Sequence, residues 1–511
     1  MKNLSSSKLI AKNTLMLYVR QIFIMFVSLY TVRVVLNILG SEDYGCYNVI
    51  AGVVVLFSFI NSTMATSTQR FLNFSLGEND INKVNRIYTS SLIIHLGISL
   101  LFVLISETIG LYFVAHKLNI PLERKNACNI VYQITIINSV FNILKVPYNA
   151  IVIAYEKMAF FAWTSIIEVF LKLILVFIIK ITSFDKLVIY ALLLAIISLI
   201  TLLMCKIYCN KKFEIAHFHR HKDFGLFTEL LLFSGWSLFG GIANICNTQG
   251  INIVLNIYTN VIVNAAMGIA NQVNNAIYSF VTNFQTAFNP QLIKNYAASE
   301  HNRFLDLLNK SAKFSFFLLY LIFLPLYINV EYVLTLWLKN PPGYSVLFVK
   351  LILIWSLIDV FNNPLYIAIQ ATGNIKTYNI VVSIMKLLPL PIIILLFRTG
   401  FPPEILFYTE MAFSLVINPW RVFYCGKRVG LNIRNFFINI ILKCLIIVVV
   451  TCTCMFFIKK YLVFYNDFFV FLIICILSVL LNFICFYLVG MDKNEKLWIS
   501  NFILSKLKRG A

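Results

Sequence analysis

Amide and hydroxyl side chains recur at helical spacing within residues 262–289, a segment that is otherwise apolar. They fall at spacings of 7, 4, 7, 4 and 3 residues, so that at about 100° per residue they share one face of an α-helix. Side chains of this kind donate and accept hydrogen bonds, which suits a ligand rich in hydroxyl groups. The stripe consists of Asn264, Asn271, Asn275, Thr282, Thr286 and Asn289.

A second polar face is predicted around residues 45–68. On a helix its polar side chains lie within an arc of about 80°. Hydrogen bonds between neighbouring helices, worth about 0.6 kcal/mol each on average, would explain single residues of this kind. A stripe along two whole helices instead favours a water-filled cavity. The second face carries Asn48, Ser58, Ser62, Thr66 and Gln69, and a third segment adds Asn244, Asn247, Thr248 and Asn252.

Charged residues inside apolar segments are the next chemical signal. A charge at the centre of a bilayer costs about 2.5–3.5 kcal/mol on insertion scales, so each such residue is a candidate functional group. Basic residues outnumber acidic ones in these segments, which favours an anionic ligand such as phosphate or pyrophosphate. Arg20, on a face shared with Ser28 and Thr31, is a candidate for contact with that anion. Candidates for charge pairing or ion coupling are Lys145, Glu168, Lys172, Lys313, Lys350, Asp359, Lys386, Glu410 and Lys443.

The elements that must position these side chains are membrane-spanning helices. The 511 residues are 60% hydrophobic and only 12% charged, whereas a soluble domain has about 25% charged residues. Apolar runs of about 20 residues, long enough to cross the hydrocarbon as helices, recur along the chain. We therefore predict an all-α integral membrane protein with fourteen transmembrane helices. The spans cover 13–38, 45–68, 87–113, 127–152, 159–181, 186–206, 227–257, 262–289, 308–337, 344–371, 377–397, 403–424, 435–458 and 464–490.

The loop charges orient these spans. Lys and Arg residues are concentrated in the loops on the side of the N-terminus, and an even number of spans returns the C-terminus to that side. The positive-inside rule therefore predicts that both termini are cytoplasmic. Because the basic residues are spread over short loops, the net charge of +21 does not predict a nucleic-acid partner. We interpret the alternating His217, His219 and His221 as part of a solvated loop, and we expect no metal and no cofactor.

The chain has the pattern of an internal duplication. Pro147 and Ala154 are repeated as Pro364 and Ala371, 217 positions later. The order of the spans repeats as well, which predicts two pseudo-symmetric six-helix lobes with the same topology. The predicted domains are an N-lobe at 1–206, a basic cytoplasmic linker at 207–226, a C-lobe at 227–425, and a final helix pair with a cytoplasmic tail at 426–511.

Six segments of the sequence form a characteristic series of motifs. They read LGSEDYG at 39–45, STQRFLNF at 67–74, PYNAIVIAYEKM at 147–158, VNAAMGIANQV at 263–273, FNPQLIKNYA at 288–297 and AIQATGNIKTYN at 368–379. In these motifs and in their order the chain resembles the polysaccharide transporter branch of the MOP flippase superfamily, most closely the lipopolysaccharide O-antigen repeat-unit flippases. The resemblance covers residues 10–425 most clearly.

The resemblance implies a MATE-like fold in which helices 1, 2, 7 and 8 line a central cavity. It implies that Arg20, Asn48, Gln69, Arg70, Asn247 and the stripe of residues 262–289 surround the substrate. The implied substrate is an undecaprenyl-pyrophosphate-linked oligosaccharide, flipped to the periplasmic leaflet of the bacterial inner membrane by alternating access. Many O-antigen members have twelve helices, whereas the related lipid-II flippase has an extra pair. The predicted spans 435–458 and 464–490 would correspond to this extra pair. The resemblance therefore makes Lys443, in the first of them, a candidate to contact the pyrophosphate.

Two other functions compete with a lipid-linked glycan flippase. A MATE-like cation-coupled multidrug antiporter would prefer an acidic, aromatic cavity, and the interior here leans basic. A membrane glycosyltransferase or polymerase would need a large loop with clustered carboxylates or histidines, and the longest loops have about 20 residues. We therefore expect a transporter and not an enzyme. Its expected partners are the lipid-linked glycan, membrane lipid and the machinery that polymerises or ligates the polysaccharide.

Overall fold

The computed structural model describes most of the chain as α-helices, with no strand among the residues that it describes. Ion pairs and capping side chains fix several helix ends outside the apolar stretches. The described residues are 13–28, 30–31, 34–35, 38–39, 43, 46–47, 50, 59–116, 122–216, 224–259, 261–339, 341–461, 467–492 and 495–497.

The helices follow the order of the apolar segments. In the first part of the chain they are α1 Asn13–Ser28, α2 Phe59–Gly77, α3 Ile81–Ile105, α4 Leu111–His116, α5 Lys125–Ala154, α6 Met158–Ile181, α7 Lys186–Lys212, α8 Phe224–Tyr258 and α9 Val261–Ala297. The later helices are α10 His301–Ile328, α11 Val330–Leu338, α12 Ser345–Asp359, α13 Asn362–Ala371, α14 Lys376–Leu387, α15 Pro389–Arg398, α16 Ile405–Val429, α17 Ile433–Phe436, α18 Lys443–Tyr461 and α19 Asp467–Cys485.

Local sequence explains where these helices begin and end. Asp80 accepts a hydrogen bond from the amide of Lys83 at 2.9 Å and caps α3. Asp185 caps α7 in the same way, accepting from the amide of Leu187 at 3.0 Å, because an N-terminal turn leaves amides without intrahelical partners. Arg124, just before α5, also donates to Asp185 at 2.6 Å. Hydrogen bonds to Asp43 raise the pKa of the Arg124 guanidinium further.

Ten helices in the described part of the chain are long and apolar enough to cross a membrane. This confirms a multi-pass, all-helical membrane protein, while the count of fourteen stays a prediction. Three of the predicted spans, 13–38, 45–68 and 464–490, fall partly outside the described residues. The predicted spans at 262–289 and 403–424 form the helices α9 and α16, which are more polar than the ten.

By its internal contacts the chain divides into two compact units. Unit 1 comprises Met1–Ile242, Thr286–His301 and Gly373–Ile380, and unit 2 comprises Ala243–Gln285, Asn302–Thr372 and Val381–Ala511. The domain boundaries and the lobe arrangement expected from the sequence stay predictions.

Each unit has its own core. In unit 1, α5 packs against α3 and α7 around the fully buried Tyr132, whose hydroxyl donates to the carbonyl of Ser106 at 2.6 Å. In unit 2, aromatic rings of α10 fill the interior, and Phe317 stacks on Phe486 with ring centroids 3.7 Å apart. Tyr320 there shares a 2.6 Å hydrogen bond with Thr451 of α18, so its buried hydroxyl is satisfied.

The backbone repeats the duplication expected from the sequence at two turns. Glu156, after α5, has φ of +57°, and Gly373, after α13, has φ of +79°. Asn79 and Ser299, after α2 and α9, have φ of +59° and +57°. Left-handed residues are uncommon outside glycine. Their recurrence 217 and 220 positions later therefore supports a common origin for the two halves of the sequence.

Candidate functional site

A cavity of about 150 Å³ with a partly polar lining lies within unit 2. Helices α8, α12, α14 and α16 supply its polar wall. Three residues predicted for charge pairing or coupling meet there, namely Asp359, Lys386 and Glu410, and they are joined by Asn247 from the predicted substrate wall. The cavity therefore collects residues from four separate segments of the sequence.

Hydrogen bonds connect the cavity residues into one network. The Nδ2 of Asn247 donates to Glu410 Oε1 at 2.9 Å and to the carbonyl of Lys386 at 2.7 Å. The Nζ of Lys386 donates to Asn244 Oδ1 at 3.0 Å. Asn247 and Glu410 are both 5% exposed, so breaking this network would leave buried polar groups without their hydrogen-bond partners.

The cavity is too small for an oligosaccharide. Pockets for small molecules typically measure about 300–1,000 Å³, whereas this one measures about 150 Å³ and has room for a few water molecules. Two carboxylates and two basic groups line it. The arrangement suits the exchange of a proton or a small ion with one of the carboxylates, and not the binding of a glycan.

Sequence reasoning missed two members of this cavity. Arg421 is 4% exposed on α16, and Asn418 donates to the carbonyl of Ile358 at 2.8 Å. Their spacing from Glu410 and Ser414 places all four on one face of α16. This helical spacing is visible in the sequence, but a single charge considered alone does not reveal it.

A second charged cluster lies in unit 1 and contains three more predicted residues. Glu168 accepts from Lys172 at 2.8 Å and from Lys145 at 3.3 Å. Lys145 also donates to Thr201 at 3.3 Å. The cluster brings α5, α6 and α7 together with one more positive than negative charge. The predicted pair of Glu168 and Lys172 is thus present, and Lys145 completes it.

The polar residues of α9 separate into two groups. Asn275 and Thr282, members of the predicted stripe, are exposed, and Asn271 and Thr286 are half-buried. Other residues bond the neighbouring helices: Asn274 accepts from Ser356 at 2.6 Å, and Gln285 donates to Ser315 at 3.0 Å. Both of these residues lie off the stripe, and the assignment of the stripe to a substrate cavity stays a prediction.

Arg20 and Arg70 both lie against aromatic rings in unit 1. The guanidinium of half-buried Arg20 lies 4.9 Å from the ring centre of Phe161. Arg70 is 4% exposed and lies 4.6–5.2 Å from the rings of Phe71, Phe74 and Phe233. Cation–π contact of this kind stabilises a desolvated guanidinium. Thr66 and Gln69, on the same helix as Arg70, are half-buried.

The turn after α5 holds a buried carboxylate that sequence reasoning did not single out. Glu156 is 8% exposed and accepts from Gln291 at 2.7 and 2.8 Å. It also pairs with Lys294 at 2.7 Å. The turn after α13 contacts α2 by close packing rather than by an ion pair. A Cβ added at Gly373 would lie 2.8 Å from a guanidinium nitrogen of Arg70. Each turn thus contacts a helix end from the other half of the sequence.

The remaining predicted cations lie in unit 2. Lys313 pairs with Glu495 at 2.6 Å and Asp492 at 3.4 Å, and Lys443 pairs with Asp492 at 3.1 Å. Burial alone would raise the pKa of Asp492, but the ion pairs with Lys313 and Lys443 outweigh burial and lower it. Lys350 lies 6.0 Å from the ring centre of Tyr327. Lys443 therefore already has a carboxylate partner within the chain.

Several predicted residues fall outside the part of the chain that the structure describes. Asn48 and the three histidines of the linker lie outside the described residues, as does the tail from residue 498. Ser62 and Asn264 belong to α2 and α9, but their side chains lie outside the described set.

Comparison with known proteins adds a family and a fold. Residues 10–295, more than half of the chain, match the family described as Polysaccharide biosynthesis protein. A MATE transporter in its bent conformation superposes with a TM-score of 0.71 at 12% identity, over 83% of this chain and 96% of its own. A MOP superfamily transporter from Pyrococcus furiosus gives 0.66 at 12% identity, over 82% and 96% of the two chains.

A mutant of a Vibrio cholerae MATE transporter gives a TM-score of 0.68 at 14% identity, over 85% of this chain and 99% of its own. No curated protein matches the sequence significantly. At such low identities the solved structures establish a shared fold, which is that of membrane transporters.

Proposed function

Because the chain belongs to the polysaccharide biosynthesis protein family, in the polysaccharide branch of the MOP flippase superfamily, we propose that it flips a lipid-linked oligosaccharide. The substrate is an undecaprenyl-pyrophosphate-linked repeat unit of an O-antigen or capsule. The protein moves it from the cytoplasmic to the periplasmic leaflet of the bacterial inner membrane, with both of its own termini in the cytoplasm.

One observation carries this proposal: a transporter fold is found on a chain whose family serves polysaccharide synthesis. The polar residues of α9 agree with it, because Asn275 and Thr282 are exposed on this helix. The Pyrococcus furiosus transporter of similar fold is described as having a binding pocket of reverse polarity, which suggests a different function for that protein. The same fold can therefore host cavities of different charge.

The charge of the substrate supports the direction of transport. Moving a headgroup with a net charge of −2 outward across an inside-negative potential of 100 mV is favoured by about 4–5 kcal/mol. The cavity around Glu410 offers a second drive, because its carboxylates could release a bound ion or proton during the cycle. Asn247, which donates to Glu410 at 2.9 Å, would then transmit that change to α8.

Transport by the full chain in proteoliposomes tests the proposal. A fluorescent lipid-pyrophosphate glycan placed in one leaflet should become accessible in the other faster than in empty liposomes. Replacing Arg20 by alanine should slow flipping by about 10–100-fold, since a hydrogen bond to a charged group contributes about 1.5–3 kcal/mol. The matched control is Arg398→Ala, which removes an exposed guanidinium at the end of α15.

A MATE-like multidrug antiporter is the second candidate. Its support is the pair of carboxylates, Asp359 and Glu410, in the unit 2 cavity. The same proteoliposomes, loaded with a cationic dye and given a proton or sodium gradient, distinguish the two functions. Dye movement without glycan movement would overturn the flippase proposal, and glycan movement without dye movement would exclude the antiporter.

A further inference from the structure

An open cleft of about 370 Å³ lies at the end of α7, on the surface of unit 1. Its size falls in the range of small-molecule sites. Its lining is apolar except for two lysines from the last turn of α7. The cleft is lined by Phe160, Met204, Ile207, Tyr208, Lys211 and Lys212.

The floor of the cleft is a stack of aromatic rings. Phe160 lies flat on Tyr208, with ring centroids 3.6 Å apart and an angle of 8° between the planes. The rings of Tyr208 and Phe213 meet edge to face with centroids 6.0 Å apart, and the ring centroids of Tyr155 and Phe213 are 4.6 Å apart. Mutual packing of four rings holds the floor in place, so the cleft is formed before any ligand arrives.

The two lysines of the cleft are available to bind an anion. Lys211 and Lys212 are exposed, and neither forms an ion pair with any residue in the described part of the chain. The dipole of α7 stabilises positive charge in its last turn, but the dipole does not provide a counter-ion. A ligand with a negative group would find both ammonium groups available next to an apolar wall.

The cleft lies at the ends of two helices that are long and apolar enough to cross a membrane. Helix α6 starts at Met158 and α7 ends at Lys212, and both belong to the ten helices able to cross a membrane. Aromatic and basic side chains gather at membrane interfaces, with the basic ones on the cytoplasmic side. At this depth an acyl chain and an anionic headgroup lie directly next to each other.

We propose that the cleft binds an anionic glycerophospholipid of the inner leaflet. One acyl chain lies against Met204, Ile207 and the aromatic floor, and the phosphate lies between Lys211 and Lys212. Basic pockets at the cytoplasmic ends of membrane helices bind such headgroups, and each lysine near an anionic surface contributes about fivefold in affinity. This site does not depend on the transported substrate.

Lipid titration of the purified full chain in neutral detergent, read by native mass spectrometry, tests the proposal. Phosphatidylglycerol should form adducts at about 25-fold lower concentration than phosphatidylcholine with the same acyl chains, because each of the two lysines contributes about fivefold. The double variant Lys211→Gln/Lys212→Gln should reduce phosphatidylglycerol binding to the phosphatidylcholine level. The control, Lys157→Gln/Lys206→Gln, removes two exposed lysines outside the cleft and should bind phosphatidylglycerol as the parent does.

Three outcomes would overturn the proposal. Equal binding of the two lipids would show that the lysines do not recognise the headgroup. Equal losses in the cleft variant and in its control would show a general charge effect. Displacement of phosphatidylglycerol by millimolar inorganic phosphate would show a site for free phosphate and not for a lipid. Retention of the adducts in phosphate, with loss in Ile207→Asn, would support both the headgroup and the acyl-chain contacts.

Discussion

The turns at Glu156 and Gly373 share one backbone conformation and make contact by different chemistry. Both follow a helix that ends in alanine, and both place a left-handed residue at the same point of the repeat. Glu156 fills its position with a carboxylate that accepts from Gln291 and Lys294. Gly373 offers no side chain, and Arg70 approaches its backbone instead. A duplicated turn has thus kept its geometry while one copy uses charge and the other uses close packing.

The largest change in stability is expected for a substitution in the turn at Gly373. Gly373→Ala places a Cβ about 2.8 Å from Arg70, and the three rings around Arg70 hinder it from moving. Left-handed strain of about 1–2 kcal/mol and overpacking of about 1–3 kcal/mol should together destabilise unit 1 by about 3 kcal/mol. Thermal unfolding followed with a thiol-reactive dye measures this, because buried cysteines such as Cys128 and Cys205 react only on unfolding.

The control for the glycine copy is Gly400→Ala. Gly400 has φ of +85° and nothing within 4 Å of an added Cβ, so only the backbone strain should appear. Equal losses of thermal stability at the two glycines would mean that Arg70 moves aside and that close packing does not distinguish the Gly373 turn.

A smaller change in stability is expected for a substitution in the turn at Glu156. Removing one partner of a buried ion pair costs about 3–5 kcal/mol, but Lys294 keeps 22% of its side chain exposed, so Glu156→Ala should cost about 2 kcal/mol. Lys294→Met added to Glu156→Ala should restore part of the loss. Glu78→Ala, which breaks an exposed pair with Lys83, should cost less than about 1 kcal/mol. Similar losses in both alanine variants would contradict a special role for the buried pair.

The smallest effect is expected at the other repeated turn. Ser299 is exposed with φ of +57°, and Ser299→Gly should raise stability by about 0.5 kcal/mol, since relief of left-handed strain exceeds the added entropy of the unfolded chain. Asn79→Gly should change stability less, because asparagine tolerates this conformation. The same thermal scan compares the two variants, and a larger gain at Asn79 would contradict the strain argument.

The sequence predicted the helical membrane fold because long apolar segments need no partner to be recognised. It also predicted Asp359, Lys386 and Glu410 as functional candidates, since charge within an apolar run is costly wherever it lies. It did not show that these three share a cavity, because their segments are adjacent only in the folded chain. The pair of Glu156 and Lys294 escaped notice for the same reason: both residues lie in quoted motifs, but no spacing rule joins positions so far apart.

Helical periodicity placed polar residues on faces of α9 but could not identify the neighbours of each face. Asn274 and Gln285 bond α12 and α10, while Asn275 and Thr282 are exposed. Adjacent amides on one helix therefore have different surroundings, and only the packing of other helices decides between them. Arg421 differs in the other direction. It lies near the end of the predicted span 403–424, where exposure is expected, yet it is buried.

The pairing of Lys313 and Lys443 with Asp492 and Glu495 restricts how the end of this chain can be engineered. Lys313 is 5% exposed, and its two carboxylate partners come after the last membrane-spanning helix. An affinity tag fused directly after Gly490 would delete both partners and leave the ammonium without a counter-charge. Fusion after Leu497 would retain the whole cluster and is the safer position for purification.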